Sequence, residues 1–512
     1  MFLLSFTIFF PLLGGIALLF FPKNRLTAIR WTALGIAAVE LILASTVVLI
    51  YLESAASVLI NSPLQENVPW IPALGINYSL SVDGISLLLV ELTALLTVVC
   101  TAASFRIEQK AKNYMAFMLL LESGILGVFL STNLFLFYIF WEVMLIPAYF
   151  LLGSWGGERR IYAAFKFVLY TAVGSFLMLA AIIALGYFHQ VAGASCGGYT
   201  LDLNALLNTN SGCSISNNIQ IWLFLGFAAA FAVKVPFVPF HSWLPDAYSE
   251  APAPVTAMLA GAMSKTGAYG FLRLCIPLFP YAAQTLAPLF SILAIVGILY
   301  CAVLALVQTD LKRLLGYSSI SHLGVIMLGL FAFSTQSVEG SVLQMVNHGI
   351  TIAALFLLVG FLEERTGTRR LGNFGGLAAR VPLLATVMAI AALSSLGLPG
   401  LNSFAGEFLT LIGVFRTTPV FSILATAVVI PAAWYMLRFF QESMQGPKQK
   451  DGPVGAILRK GTLMDLSFSE FWLLAPLLLL IFYIGIQPGP LVWIVQQSVP
   501  NVMHTLGSAF IP

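Results

Sequence analysis

The sequence predicts an all-α polytopic membrane protein of about fourteen transmembrane helices, two of them discontinuous. Three observations predict it. First, 59% of the 512 residues are hydrophobic and only 9% are charged, where a soluble globular chain carries about 25% charge. Second, many runs reach the roughly 20 apolar residues that a bilayer crossing needs. Third, the Lys and Arg residues alternate between successive loops. A mean hydropathy of +0.95 excludes a disordered chain and an ordinary water-soluble enzyme. The net charge of +3 forms no basic stripe for nucleic acid.

The apolar runs place the spans near 2–21, 29–52, 83–104, 112–131, 133–153, 164–188, 219–240, 254–279, 284–308, 314–334, 341–362, 381–415, 418–440 and 470–495. The first run lacks a positive n-region and reads as a membrane helix, not a cleaved signal. The loops after spans 1, 3, 5, 9, 11 and 13 hold Lys23, Arg25, Arg30, Arg106, Lys110, Arg159, Arg160, Lys312, Arg313, Arg365, Arg369, Arg370, Lys448, Lys450, Arg459 and Lys460, while Arg416 is the main exception on the opposite side. The positive-inside rule then puts those loops in the cytoplasm or its equivalent, and both termini on the lumenal or periplasmic side. Two opposite loops, 53–82 and 189–218, are long and lack Lys and Arg. Segment 441–469 reads as a connector. The domain expectation is one membrane unit: N-terminal helices 1–110, a first repeat 111–280, a second 281–440, and a connector with the last helix 441–512.

Spans 7 and 12 carry breakers at membrane depth. They are Ala232-Val-Lys-Val-Pro-Phe-Val-Pro-Phe-His-Ser-Trp-Leu-Pro245 and Leu398-Pro-Gly-Leu-Asn-Ser-Phe-Ala-Gly-Glu407. Proline removes a backbone donor and clashes with the preceding turn. Unwound backbone survives there only inside protein or beside water. The two breaks lie five spans apart, an odd offset, so the second copy enters from the opposite side. That spacing suggests an inverted repeat, roughly spans 4–8 against 9–13, and paired broken helices in such repeats point to a transport site.

An ionisable group in hydrocarbon costs about 2.5–3.5 kcal/mol on insertion scales. The deep set is Glu142, Lys234, Lys265 and Glu407, with Glu122 and Lys166 close behind and His322 and His348 further along. Glu142 sits in a run that cannot solvate a carboxylate, and Lys234 is its natural partner. Burial disfavours an ammonium and a nearby carboxylate stabilises it, so a Lys–Glu pair of variable separation is a proton switch. The competing reading is a static ion pair that orients helices. Lys265 has small and hydroxyl neighbours that leave room for water. His322 and His348 have polar companions, and imidazole suits proton shuttling. Asn402, Ser403 and Gly406 leave space beside Glu407. Span adjacency orders the relay Glu142–Lys234–Lys265–His322–His348–Glu407. Asp83, Glu91, Asp246, Glu250 and Asp310 lie nearer span ends and read as caps, turns or solvated groups. Of the five cysteines, Cys100, Cys275 and Cys301 read as packing residues, whereas Cys196 and Cys213 share a loop and could pair. No C-x-x-C, phosphate loop or dinucleotide fingerprint occurs, so no metal, nucleotide or redox cofactor is expected in this chain.

Phe140-Trp-Glu-Val-Met-Leu-Ile-Pro147, Ala232-Val-Lys-Val-Pro236, His241-Ser-Trp-Leu-Pro-Asp-Ala-Tyr-Ser-Glu-Ala-Pro252, Gln308-Thr-Asp-Leu-Lys-Arg-Leu-Leu-Gly-Tyr-Ser-Ser-Ile-Ser-His322 and Gly400-Leu-Asn-Ser-Phe-Ala-Gly-Glu-Phe408 resemble the antiporter-like chains of complex I. The resemblance runs over nearly the whole chain and is closest to the chain-4 (subunit M) type of NADH–quinone oxidoreductase, because glutamate stands at 407 where several sister chains carry lysine. It implies fourteen helices, two inverted five-helix repeats and one proton channel. It places the helix-5 glutamate on Glu142, the helix-7 and helix-8 lysines on Lys234 and Lys265, the central histidines on His322 and His348, and the helix-12 exit glutamate on Glu407. Quinone and iron–sulfur clusters would sit on other subunits. The partners it implies are further antiporter-like subunits and the quinone/iron–sulfur arm. The stretch Ser154-Trp-Gly-Gly-Glu-Arg-Arg-Ile-Tyr-Ala-Ala-Phe-Lys166 resembles the cyanobacterial or chloroplast branch, although Phe165 departs from that branch's small polar residue. Such complexes take electrons from ferredoxin, or from NAD(P)H, to plastoquinone in thylakoids; otherwise a bacterial inner membrane is expected. The alternatives are a subunit of a multisubunit sodium–proton antiporter, and a scaffold whose charges only hold helices together.

Overall fold

The computed structural model describes residues 2–56, 64–191, 198–207, 215–446, 452–460, 463–500 and 502–503. Cys196 and Cys213 lie outside these residues.

Among the described residues, fourteen helical spans follow the predicted order. Spans 1 to 4 are Leu3–Leu18, Leu26–Ala56, Gly84–Ala103 and Ala111–Leu130. Span 5 is Leu134–Val143 with Leu145–Trp155, and span 6 is Arg160–Val191. Span 7 is Asn217–Lys234, followed after a turn by the short helix Trp243–Glu250. Span 8 runs from Ala253–Met258 to Ile276–Leu278. Spans 9, 10 and 11 are Pro280–Leu306, Leu311–Phe331 and Thr335–Thr366. Span 12 is Pro382–Ser395 with Asn402–Thr417, span 13 is Pro419–Thr426 with Val429–Met444, and span 14 is Phe468–Ile486. Among the described residues, ten helices are long and apolar enough to cross a membrane, with Leu3–Leu18 and Pro382–Ser395 as shorter apolar helices. Spans 7, 8 and 12 are not among the ten. The protein is an all-α polytopic membrane protein. Spans 3, 4, 10 and 11 are largely buried, whereas spans 2, 13 and 14 leave most of their apolar surface outside.

Both predicted breaks are present. The structure adds an interruption at Met144 in span 5. It also adds two π-helical stretches in span 8, Leu259–Met263 and Phe271–Cys275. Hydropathy does not see these, because the apolar runs continue through them and a widened or broken turn leaves the average apolar character unchanged. Lys265 lies between the two stretches.

The long loop at 53–82 is more structured than expected. It holds an antiparallel hairpin of β1 (Gln65–Ile71) and β2 (Ile76–Ser81). Gly75 at its turn has φ +58, and a Cβ there would meet the Tyr199 carbonyl at 2.5 Å. The hairpin caps span 1, because Glu66 accepts from Leu4 N at 2.7 Å and Ser5 N at 3.1 Å. Those amides are the orphan donors of a helix N-terminus.

Ion pairs tie together the ends that loop alternation assigns to one face. Arg106 at the end of span 3 pairs with Glu364 at the end of span 11, and at 2.7 Å with Glu470 at the start of span 14. Arg365 also pairs with Glu470. On the other face Asp83, the N-cap of span 3, meets Arg273 of span 8 at 2.9 Å. Asp83 and Asp310 are N-caps, as read from the sequence. Cys100, Cys275 and Cys301 are buried free thiols.

Candidate functional site

Four of the six predicted relay residues form one line through the protein. Lys265 is fully buried. Its Nζ has three neighbours: the Ala260 carbonyl at 2.5 Å, the Ser264 hydroxyl at 3.3 Å and His348 Nδ1 at 2.8 Å. An ammonium has three N–H donors, so each finds a partner. The π-helical stretch supplies one of them, since widening the turn directs the Ala260 carbonyl at the lysine five residues on. His348 Nε2 has no protein partner. Its ring lies 5.5 Å from the His322 ring, centroid to centroid. His322 Nδ1 is 2.6 Å from Glu407 Oε1, and its Nε2 is 3.4 Å from the Ser395 hydroxyl. Gln344 Nε2 donates to the same Glu407 oxygen at 2.9 Å.

This geometry corrects the expected order. His348 stands between Lys265 and His322, so the line runs Lys265–His348–His322–Glu407. Chain order misleads here because span 11 packs against span 8, which brings His348 to Lys265.

The other two predicted residues are placed differently. Lys234 ends the first half of span 7 and is fully buried. Its Nζ makes no hydrogen bond; it lies 5.2 Å from the centre of the Trp141 ring and 5.5 Å from that of Phe167. Glu142 Oε1 is also buried without a partner. The expected Lys234–Glu142 ion pair is therefore absent. One physical reason is visible at Trp141, whose ring occupies the space beside the ammonium and offers a cation–π contact instead. Gly267 of span 8 lies against the backbone at Lys234, where a Cβ would come within 3.1 Å of the Lys234 Cβ and 2.8 Å of Val235 Cγ2. Spans 7 and 8 thus approach as closely as glycine allows.

Polar side chains hold the break in span 12. Asn347 Nδ2 donates to the Asn402 carbonyl at 2.7 Å, and Asn402 Nδ2 returns a bond to the Asn347 carbonyl at 3.1 Å. Asn402 Oδ1 accepts from Ser394 at 2.6 Å and Thr351 at 3.2 Å. Gln344 and Ser395 were not legible as site residues. The available signal is the spacing of Gln344, one helical turn before His348 in an apolar helix.

Glu122 and Lys166 lie outside the line. Glu122 is fully buried beside Thr97 and acts electrostatically on Glu40 of span 2, a buried acid that the sequence reading passes over. Lys166 instead pairs with Asp246 at 2.8 Å. Asp246 and Glu250, read as caps, turns or solvated groups, are largely buried ion-pair partners of Lys166, Arg313 and Arg369. Glu91 lies within span 3 and accepts from Ser45 at 2.8 Å. Burial opposes the charge on Arg369, but Asp310, Glu363 and Glu250 around it outweigh that and raise its pKa above the ordinary value.

Residues 131–431 match the family model described as NADH:quinone oxidoreductase/Mrp antiporter, TM. The chain is 40% identical to NADH-quinone oxidoreductase subunit M of Pseudomonas aeruginosa, covering 99% of this chain and 98% of the relative. It is 37% identical to subunit M of Rickettsia bellii, covering 98% of each. Among solved structures, a chain of respiratory complex I from Thermus thermophilus superposes with a TM-score of 0.85 at 30% identity, covering 98% of this chain and 100% of that one. A chain of the Mrp complex from Dietzia sp. shares the fold, with a TM-score of 0.82 at 22% identity, covering 99% of this chain and 100% of that one. The chain belongs to the NADH:quinone oxidoreductase/Mrp antiporter transmembrane family.

Proposed function

We propose that the chain is a proton-translocating membrane-arm subunit of a complex I-type quinone oxidoreductase, and that Glu142, Lys234, Lys265, His348, His322 and Glu407 carry the protons. The observation that carries the residue assignment is the line from Lys265 to Glu407. It links an ammonium, two imidazoles and a carboxylate across four helices, with one junction left open between the rings. Each member can gain and lose a proton, and imidazole does so at two ring positions. The line starts near the Lys234 break and ends at the carboxylate of the second broken helix. Protons enter at Lys234, where the ammonium has no bond to lose, and pass to Lys265 when span 7 shifts against span 8. Energy must arrive from partner chains, since moving one charge against 100 mV takes about 2.3 kcal/mol. We assign quinone and iron–sulfur chemistry to those partners.

Lys234→Ala in the whole complex tests the assignment. We expect intact assembly and quinone reduction, with proton uptake into vesicles lost. Assembly failure without any specific pumping defect would instead favour a scaffold. Sodium-dependent transport without a quinone substrate would favour the antiporter.

A narrower reading concerns the branch. The stretch from Ser154 to Lys166 supports a thylakoid complex of the cyanobacterial or chloroplast type, with ferredoxin as donor, plastoquinone as acceptor and both termini lumenal. Purifying the chain with its partners decides this. A ferredoxin-oxidising arm supports it, and an NADH-oxidising flavoprotein arm overturns it in favour of a bacterial inner membrane.

A further inference from the structure

The short helix Trp243–Glu250 follows directly on the break that carries Lys234. Its first residue ties it back to that break, because Trp243 Nε1 donates to the Val233 carbonyl at 2.9 Å. Trp243 is buried and packs on Phe167, the second ring beside the Lys234 ammonium, at 5.2 Å between centroids.

Asp246, one turn further on, faces two helices at once. Its Oδ2 accepts from Lys166 Nζ of span 6 at 2.8 Å. Its Oδ1 accepts from Arg313 Nη1 of span 10 at 2.8 Å. Span 10 is the helix that carries His322. Spans 6 and 7 belong to the first half of the molecule and span 10 to the second, so one carboxylate bridges the halves. A second tie repeats the link at the far end of the short helix. Arg369 binds the Ser249 carbonyl, reaches Glu250 at 3.2 Å, and holds Asp310 at 2.5 Å. Asp310 is the N-cap of span 10 and accepts from Arg313 N at 3.0 Å. Asp246 therefore ends on span 10 directly, and Glu250 is joined to that helix's cap, Asp310, through Arg369. A largely buried carboxylate held by two cations is a stiff joint, since separating any pair leaves an uncompensated charge.

We propose that Asp246 is a positioning residue for proton transfer, locking the Lys234 break of the first half to the His322-bearing helix of the second. Any shift of the break is carried through Trp243 and Asp246 to span 10. This rests on the proton-translocation reading above, and Asp246, Lys166 and Arg313 pair with one another and not with a relay residue.

The test uses the whole complex in proteoliposomes and reads protons moved per quinone reduced. Arg313→Gln cuts only the Asp246–Arg313 bridge and leaves the Lys166–Asp246 pair and the Arg369 tie. Asp246→Asn cuts both bonds, and Asp246→Glu retains the carboxylate. We expect Arg313→Gln and Asp246→Asn each to lower the ratio about threefold or more at unchanged quinone reduction. The double variant should be no worse than the poorer single variant, because both remove the same link. Asp246→Glu should restore most of the ratio. Unchanged ratios in assembled variants overturn the proposal, as does a double variant that multiplies the two losses. If Asp246→Asn does not assemble, an unchanged ratio in Arg313→Gln overturns it alone. Lys234→Ala run in parallel separates the two failures. If that variant pumps normally, the relay assignment fails, and if it does not pump while Arg313→Gln is normal, only the positioning role fails.

Discussion

The two ends of the titratable line are built in opposite ways. From Lys265 to Glu407 the groups hold one another by hydrogen bonds of 2.8 and 2.6 Å, with a single gap between the histidine rings. At Lys234 the ammonium has aromatic faces and no hydrogen bond, and the Glu142 oxygen nearest in purpose is unbonded too. Hydrogen bonds are directional and fix an atom's place. A ring face attracts a cation with little directional demand. The bonded end can hand a proton along with small movements, while the unbonded end can move its charge as a whole. On the proposed relay, the first is the wire and the second the switch.

Cutting the wire should have the largest effect. His348→Leu removes the Lys265–His348 bond that leads toward Glu407, and we expect proton transport to slow about 100-fold, within the range for removing a positioned acid–base group. Proton uptake against quinone reduction in the same vesicles measures it, and near-normal uptake would mean that protons take another route. Softening the switch should matter less. Trp141→Leu takes away a cation–π contact worth about 1 kcal/mol, so transport should change roughly fivefold. Trp141→Phe keeps a ring and should stay close to the parent; if both variants behave alike, the ring face is not what holds Lys234. The smallest effect belongs to Ser395→Ala. Its contact with His322 is long, at 3.4 Å, so transport should remain within about twofold. A larger loss would show that Ser395 orients the imidazole after all.

The residues differ in how openly the chain announces them. Hydropathy marks each span locally, because transfer into lipid depends on the residue and its immediate neighbours. Proline and glycine mark the breaks of spans 7 and 12 just as locally, and a lysine or glutamate in such a run declares its cost on sight. The spans, the two breaks and the six buried titratable residues proposed as a relay are therefore readable one stretch at a time.

What cannot be read that way is anything settled between distant helices. The sequence of the two histidines along the line, the missing Lys234–Glu142 bond, the acid pair Glu40 and Glu122, and the hold of Asp246 on Arg313 depend on which helix faces which and at what height. So do the π-helical turns around Lys265. Side-chain packing and backbone approach decide these, as Gly267 against Lys234 illustrates. In lipid the hydrophobic drive does not select among helix partners, so close fit and polar contacts choose them. Neither is a property of any single segment of the chain.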